Sequence, residues 1–587
     1  MSLFCATVIM LAMALHGPLR AQSVSLNPSD DELAERLSAE ALVFATEEGA
    51  TPGDIIATAK GDYGRLVALL YEEGYFGASV SIRLAGREAA TLSAFDAPAT
   101  LAPVEIDVDL GSRFTFGRAD IAPLAPGAMT PEGFKPGARA GTAVINEAAR
   151  GAVQDWRNAS HAKAEITGQE VVAWHRASEL DVVLSVDPGP SLTFGELILP
   201  PDSTVRGRRL TRIAGLPTGE PYSPAALTQA RARLVRTGVF SSVVLREADT
   251  PNPDGTLDIE LAVEPAPPRR IGFGAEIDSA NGLSLEAFWL HRNIFGGGQR
   301  LRFDAEIEGL GATSGGIDYA LGLSLRTPAF RRSDDTLEVG IRLERLDESA
   351  FTESLLELGA RAERQVNETT LIGTGIGLRF SDISDDFGSR TMSHVVLVFD
   401  GERDRRDDTL NPRGGSYGFL EIRPFIGIGD SETGLRLEGD FRRYLALGDS
   451  TTIAARSLFG SVIGTEIDDT PPDYLFFSGG GGTVRGQGFQ SLSIEEGGDE
   501  SGGRSFAGLS LELRQDVTDA LGVVGFVDYG FLSADSDWSD GEDHVGAGLG
   551  LRYNTALGPL RVDVGVPVGT ASDGTEYGIY IGLGQSF

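Results

Sequence analysis

The chain is almost without cysteine. Its single example in 587 residues is Cys5, inside an apolar run from Leu3 to Leu15 and not just after one, where a lipid-anchored cysteine would stand. That run, followed by His16-Gly-Pro-Leu-Arg-Ala21, reads as a secretory signal over residues 1–21 with cleavage after Ala21, although no Lys or Arg precedes it. The mature chain would then carry no disulfide. Beyond residue 21 there is no unbroken apolar run of ~20 residues either, which excludes a membrane-spanning helix. An exported chain without such helices is soluble or a β-barrel.

Signals for chemistry are equally scarce. Six histidines are scattered without metal-ligand spacing, so no metal site is expected. No Gly-Lys-Ser/Thr marks a phosphate-binding loop. Gly414-Gly-Ser-Tyr-Gly418 fits the hydrolase G-x-S-x-G pattern, but a nucleophile elbow needs a helix after the serine. Here Phe419-Leu-Glu-Ile422 continues as a strand, and no His or Asp is placed to complete a triad. No catalytic residue and no cofactor are expected, and the chain does not read as an enzyme. Positive charge is in the minority, 50 Lys and Arg against 85 Asp and Glu for a net charge of −35, which disfavours nucleic acid as a partner. Acidic pairs such as Asp334-Asp335 and Asp407-Asp408 read as solvated turns. A hydrophobic content of 41% with a mean hydropathy of −0.05 argues against wholesale disorder.

What the chain has in quantity is glycine, 76 residues of it. The densest stretch is Ser478-Gly-Gly-Gly-Gly-Thr-Val-Arg-Gly-Gln-Gly-Phe-Gln490, a loop with one arginine, Arg485, at its tip. Glycine lets backbone bend tightly and approach other groups closely, and an arginine on such a loop forks onto carboxylates. As a surface hairpin the loop would leave Arg485 solvated. Inside a barrel the same arginine would need acids on the wall.

The first half of the chain repeats. Val104-Glu-Ile-Asp-Val-Asp-Leu-Gly-Ser-Arg-Phe-Thr-Phe-Gly117 aligns with Val182-Val-Leu-Ser-Val-Asp-Pro-Gly-Pro-Ser-Leu-Thr-Phe-Gly195 at an offset of about 78 residues, and Leu257-Asp-Ile-Glu-Leu-Ala-Val-Glu-Pro265 is a third copy. Each copy follows a helical pattern. Ser223 and Pro224 start one that carries Leu227, Ala230 and Leu234 and stops at Gly238. Tyr63, Leu66, Val67 and Leu70 share a face of another that stops at Gly74, and a less regular helix runs over about 146–158. Three tandem α/β modules are predicted.

From about Arg269 the apolar period becomes two. Leu301, Phe303, Ala305 and Ile307 alternate with charge, as do Leu337, Val339, Ile341 and Leu343. Tyr577, Ile579, Ile581, Leu583 and Phe587 are expected on one face of a final strand. A soluble sandwich would bury such faces, whereas a membrane barrel turns them to lipid and keeps the charges in a wet lumen. The length of this region and its ending on Phe587 favour the barrel, with room for about sixteen strands.

Three modules leading into a barrel with an arginine loop resemble the BamA/TamA superfamily of outer-membrane assembly proteins, whose modules are called POTRA. The likeness is carried by Asp404-Arg-Arg-Asp-Asp-Thr-Leu-Asn-Pro-Arg-Gly-Gly415, Pro471-Pro-Asp-Tyr-Leu-Phe-Phe-Ser-Gly-Gly480, Ser510-Leu-Glu-Leu513, Phe526-Val-Asp-Tyr-Gly530, Gly558-Pro-Leu-Arg-Val-Asp563 and Tyr580-Ile-Gly-Leu-Gly584. Three modules look like the TamA branch, BamA usually having five and two-partner secretion transporters two. The resemblance implies a signal at 1–21, POTRA-like modules at 22–110, 111–188 and 189–267, and an α+β periplasmic region followed by an antiparallel transmembrane barrel over 268–587.

It also implies roles for residues. Val484, Arg485, Gly486 and Phe489 would form the lumen loop motif, with Arg485 bound to Glu512 and Asp528. The family usually has an aromatic residue where Gln487 stands, and Phe489 is the expected substitute. The first strand, near Ile271–Ile277 with Ile271 and Phe273, would meet the last at a lateral seam including Gly578, Gly582, Gly584 and Phe587. In the family this seam opens so that an incoming strand pairs with the freed edge. Glycines there would weaken packing, or would merely make room for the loop. The implied setting is the outer membrane of a Gram-negative bacterium. The implied partners are unfolded outer-membrane protein clients, outer-membrane lipid and a TamB-like periplasm-spanning protein. The alternative is a secretion pore passing a soluble client through the lumen.

Overall fold

The computed structural model describes residues 22–46, 50–93, 101–278, 282–311, 315–496, 499–555, 558–569, 576–585 and 587. The expected signal over 1–21, with Cys5, lies outside them. The chain forms two compact units, one covering 1–196, 217–226 and 248–258, the other 197–216, 227–247 and 259–587.

Three small α/β modules come first. The first holds β1 (Gln22–Asn27), α1 (Asp31–Glu40), α2 (Pro52–Glu72), β2 (Ser79–Leu84), β3 (Arg87–Glu88) and β4 (Val104–Asp109). The second holds β5 (Thr115–Ala122), α3 (Thr142–Asn158), β6 (Glu165–Trp174) and β7 (Glu179–Asp187). The third holds β8 (Thr193–Ile198), α4 (Gly207–Ala214), α5 (Pro224–Arg236), β9 (Phe240–Glu247) and β10 (Thr256–Pro265). Local chemistry sets the helix starts. Thr51 and Asp54 form a reciprocal capping box on α2, and Asp30 accepts the Leu33 amide at 3.1 Å on α1.

The sequence repeat has a structural cause. The sheets run in the orders β1-β4-β2-β3, β5-β7-β6 and β8-β10-β9, so the repeated segment is the inner strand of each module. Its alternate residues are buried: Val104, Ile106 and Val108, then Leu180, Val182 and Leu184, then Leu257, Ile259 and Leu261. The repeated Thr-Phe-Gly opens β5 and β8. Phe116 and Phe194 are buried there. A Cβ on Gly117 would lie 2.6 Å from Asp181 Oδ1, and one on Gly195 would lie 2.1 Å from Asp258 Oδ1. An aspartate at the same place in two inner strands therefore requires glycine beside it.

The barrel follows. Its first eleven strands are β11 (Arg269–Asp278), β12 (Gly282–His291), β13 (Arg300–Leu310), β14 (Asp318–Pro328), β15 (Asp335–Asp347), β16 (Phe351–Asn367), β17 (Thr370–Asp385), β18 (Gly388–Asp404), β19 (Gly415–Gly427), β20 (Gly434–Leu447) and β21 (Thr451–Ile463). A long loop carries the hairpin β22 (Ile494–Glu496) and β23 (Asp499–Ser501). The wall resumes with β24 (Ser505–Asp516), β25 (Leu521–Ser533), β26 (Glu542–Thr555), β27 (Gly558–Pro567) and β28 (Gly578–Leu583). The sixteen wall strands are hydrogen-bonded in chain order and closed by β11 against β28. Closure leaves no sheet edge other than the one at this join, which is the condition for strands to cross lipid. The outward positions are apolar and exposed, as at Leu321, Leu323, Ile341, Leu343, Leu511, Leu513, Leu549 and Leu551. The inward face is charged. Ser416 of the G-x-S-x-G segment lies within β19, with no helix after it.

The acidic pairs are not solvated turns, a correction to the sequence reading. Asp335 accepts a two-pronged bond from Arg364. Asp407 and Asp408 accept backbone amides of Arg413, Leu410 and Asn411. Asp334 takes Arg233 Nε at 2.8 Å and Nη2 at 2.6 Å, with Arg236 at 3.2 Å. This fork ties α5 to the turn joining β14 and β15. Hydrogen bonds from Arg233 are the chief reason that Asp334 is held below its ordinary carboxylate range. A lowered folded value means the contribution is complete above the unfolded value of ~3.9 and is lost as pH falls through the folded one. Amide-exchange protection of α5 should therefore be flat from neutral pH down to about pH 4 and drop below that, and Asp334→Asn should abolish the step. A step that survives the substitution would assign it to another group.

Candidate functional site

Strand parity builds a charged floor inside the barrel. Glu512 and Arg514 on β24, Phe526 and Asp528 on β25, Arg552 on β26 and Asp563 on β27 all face inward, at register positions that bring them together. The glycine-rich loop descends onto this floor. Arg485 donates Nε and Nη2 to the two carboxylate oxygens of Asp528 at 2.8 and 3.0 Å. Its Nη1 reaches Glu512 at 2.7 Å and Asp563 at 3.2 Å. Its own amide also donates to Asp528 at 3.1 Å, and its guanidinium lies 3.6 Å over the Phe526 ring. Arg514 returns to Glu512 at 2.8 Å, and Arg552 pairs with Asp563.

All six charged groups are buried. Three guanidiniums face three carboxylates, so the cluster is neutral as a whole. Such an arrangement tolerates loss of water only while every member keeps its partner. Chemically it is a clamp. It contains no nucleophile and no free acid or base.

Glycine creates the seat. Gly546, Gly548 and Gly550 present bare backbone along the inward face of β26. A Cβ on Gly546 would lie 1.9 Å from the Arg485 carbonyl oxygen, and one on Gly486 would lie 2.6 Å from the Val566 backbone, at a φ of +96°. The Gly486 amide donates to the Tyr580 hydroxyl at 3.0 Å. Val484 is fully buried beside Gly530 and Gly546. Gln487 occupies the place where an aromatic was expected and donates to the Val545 carbonyl at 2.8 Å. Phe489, the expected substitute, instead lies half-buried near Gly480.

The loop has a second anchor that the sequence reading missed. Tyr474 is buried under Arg379, Arg423 and Arg436, whose guanidinium carbons lie 4.7, 5.7 and 5.8 Å from its ring centre. Arg379 also holds Asp473 at 2.6 Å, together with Glu353. The loop thus grips β16, β17, β19 and β20 as well as β24–β27. Single arginines at inward positions between apolar neighbours, as in Leu378-Arg379-Phe380, were the available signal.

The seam differs from expectation. β16 and β17 run in register from Phe351–Asp385 through Gln365–Leu371, with a shift before Asn367–Thr370. By contrast, among the described residues β11 meets β28 only at Ile277–Ile581 and Asp278–Tyr580. Ile271 and Phe273 point outward, 62% and 83% exposed, on a part of β11 with no strand partner on that side among the described residues. Gly578, Gly582 and Gly584 do not face them. Gly578 makes room for Tyr580, whose hydroxyl a Cβ would meet at 2.4 Å, and Gly582 pairs with Arg561 of β27.

Gly584 lies beyond the last strand. Phe587 is not on the outward face with Ile579, Ile581 and Leu583. It turns inward against Tyr444 and Ala454, and its backbone oxygen accepts from Arg514 at 3.2 Å. The same segment is held by Gln585, which donates its amide to Leu410 at 3.1 Å and accepts from Arg552 at 2.9 Å. The chain beyond Leu583 therefore follows these inward partners and not the line of β11.

Arg485→Ala should therefore destabilise the barrel by about 3–5 kcal/mol, because it leaves buried carboxylates unpaired. Arg485→Lys should rescue little, since an ammonium cannot fork. The check is the temperature at which the folded, fast-migrating band disappears in semi-native electrophoresis. Gly486→Ala should lower it comparably, while Gly482→Ala, with nothing within 4 Å of the added carbon, should leave it unchanged.

The comparisons fit this geometry. The Omp85 superfamily domain matches residues 293–587, half of the chain. The outer membrane protein assembly factor BamA of Nitratidesulfovibrio vulgaris is 24% identical over 438 residues, covering 70% of this chain. The chain spans only about half of that relative, 53% of its length. Among solved structures, BamA from Haemophilus ducreyi lacking POTRA domains 1–3 superposes with a TM-score of 0.62 at 17% identity, covering 80% of this chain and all of that one. CdiB from Acinetobacter baumannii reaches 0.49 at 12% identity, over 80% of this chain and 90% of its own. An inward arginine loop clamped to the wall of a sixteen-strand barrel, behind α/β modules, completes the assignment: the chain belongs to the Omp85 superfamily.

Proposed function

We propose that this protein inserts β-barrel clients into the outer membrane by strand addition at the β11–β28 seam. The observation that carries the reading is the seam itself. Opening it exchanges only a few backbone hydrogen bonds, each worth about 0.5–1.5 kcal/mol net. It frees an edge whose module-side half, from Arg269 to Glu276, already has no strand partner on that side among the described residues. An incoming strand that pairs with this edge satisfies groups that lipid would leave unpaired. The apolar outward residues Ile271 and Phe273 suit that edge to a lipid-facing position.

In this reading the module-side end of the barrel faces the periplasm, and the modules receive unfolded outer-membrane clients, autotransporters among them, without nucleotide or cofactor. Module count supports the TamA branch and a TamB-like partner at the first module. A secretion pore is the less supported reading. The lumen is crossed by a loop anchored at both Tyr474 and Arg485, and a passing chain would have to break both anchors.

The test is a seam lock. Cysteines at Ile277 and Ile581, partners in register, should form a reducible crosslink that stops insertion of a barrel client into liposomes, with reductant restoring it. Full insertion by the locked protein would remove the seam from the mechanism.

A further inference from the structure

The inward arginines of the lumen wall over β13–β17 are matched by acids, with one exception among the described residues. Arg302 binds Asp304 at 2.6 Å. Arg342 binds Glu344 at 2.9 Å and Glu306 at 3.1 Å. Arg361 binds Asp400 at 2.9 Å, and Arg326 binds Glu363. Arg300, on the same inward face, has neither hydrogen bond nor ion pair among the described residues. Its register partner on β14 is another arginine, Arg326, and Arg292 and Arg302 add further positive charge nearby, with Glu338 the opposing group.

Arg300 lines a cavity of about 180 Å³ at the module-side mouth of the barrel, with Arg233, Arg236, Arg326, Asp334 and Glu363. The two carboxylates are already committed. Asp334 takes Arg233 and Arg236, and Glu363 takes Arg326 and Arg361. With Glu338, which pairs with Arg326 at 3.6 Å, four arginines meet three acids, and Arg300 is the one without a bound carboxylate. Arg292 is turned away to the carbonyls of Pro267 and Gly238, both at 3.1 Å.

We propose that this cavity binds one oxyanion, a carboxylate carried by an extended polypeptide, with Arg300 as the fork that receives it. The volume admits about six waters, enough for a carboxylate on its methylene stem. The inward position excludes lipid headgroups, which lie on the other face of the wall. A planar guanidinium without a partner matches a carboxylate through two parallel hydrogen bonds. The identity of the occupant as a client segment rests on the insertion reading, and the site would hold an acidic residue of a chain arriving at the mouth.

The experiment measures binding without insertion, so its failure would leave the seam mechanism untouched. The full chain in detergent micelles is titrated with an end-blocked Ser-Gly-Glu-Gly-Ser peptide bearing a neutral dye, with its Gln counterpart, and with inorganic phosphate as competitor. The Glu peptide should bind about ten-fold tighter than the Gln peptide at low salt, as one charge-assisted fork implies. Arg300→Gln should erase that preference with the folded band retained, and Arg302→Gln should keep it. Should Arg300→Gln fail to fold, Arg236→Gln is read instead and should reduce the preference. Equal binding of the two peptides, or a preference unchanged in the Arg300 and Arg236 variants, overturns the site. Phosphate that competes at the peptide's own concentration overturns the polypeptide occupant in favour of a free anion.

Discussion

A guanidinium removed from water must find its carboxylates or the structure around it fails, and Arg485 organises one side of this barrel on that condition. Its five donors reach three acids on three strands, and two of those acids are shared with Arg514 and Arg552. The cluster is worth little as net stabilisation over an apolar core of equal volume, because desolvation offsets attraction. What it supplies is connection. In this seating each charged group of the cluster has an opposite partner, and the loop bridges β24, β25 and β27 although it belongs to none of them.

The same network continues to the seam. Arg514 reaches the Phe587 backbone oxygen, and Arg552 reaches Gln585, so both arginines that neutralise the loop's acids also hold the segment after β28. That segment is drawn inward, and among the described residues β28 keeps two residues of register against β11. Loop seating and seam strength are therefore linked by shared groups, with Tyr580 as a direct contact between them. The second anchor at Tyr474 makes the loop a strut between opposite arcs of the wall.

Much of this was legible beforehand. The module repeat was visible because an inner strand must alternate buried residues in each copy, and the Thr-Phe-Gly match reflects a glycine forced by a neighbouring aspartate. The barrel was visible in its period of two. Asp528 and Glu512 were named through resemblance, but Asp563, Arg514 and Arg552 were not, since nothing in a linear pattern says which of many inward charges share one floor. The Gly-x-Gly-x-Gly run at 546–550 was a readable sign of a seat that went unused. Phe587 was misplaced because alternation was extended past Gly584, where the chain leaves the sheet.

By itself the sequence determined the module count, the sixteen-strand scale of the barrel and the two-residue alternation of its strands, because these follow from local periodicity and the length a strand needs to cross lipid. Only the tertiary structure decided which charges meet, where the loop is anchored, and how little of β11 is paired with β28. Those depend on register accumulated around a closed wall, where residues as distant in sequence as Arg485 and Asp563, or Ile277 and Ile581, become neighbours through closure and not through any pattern in the chain.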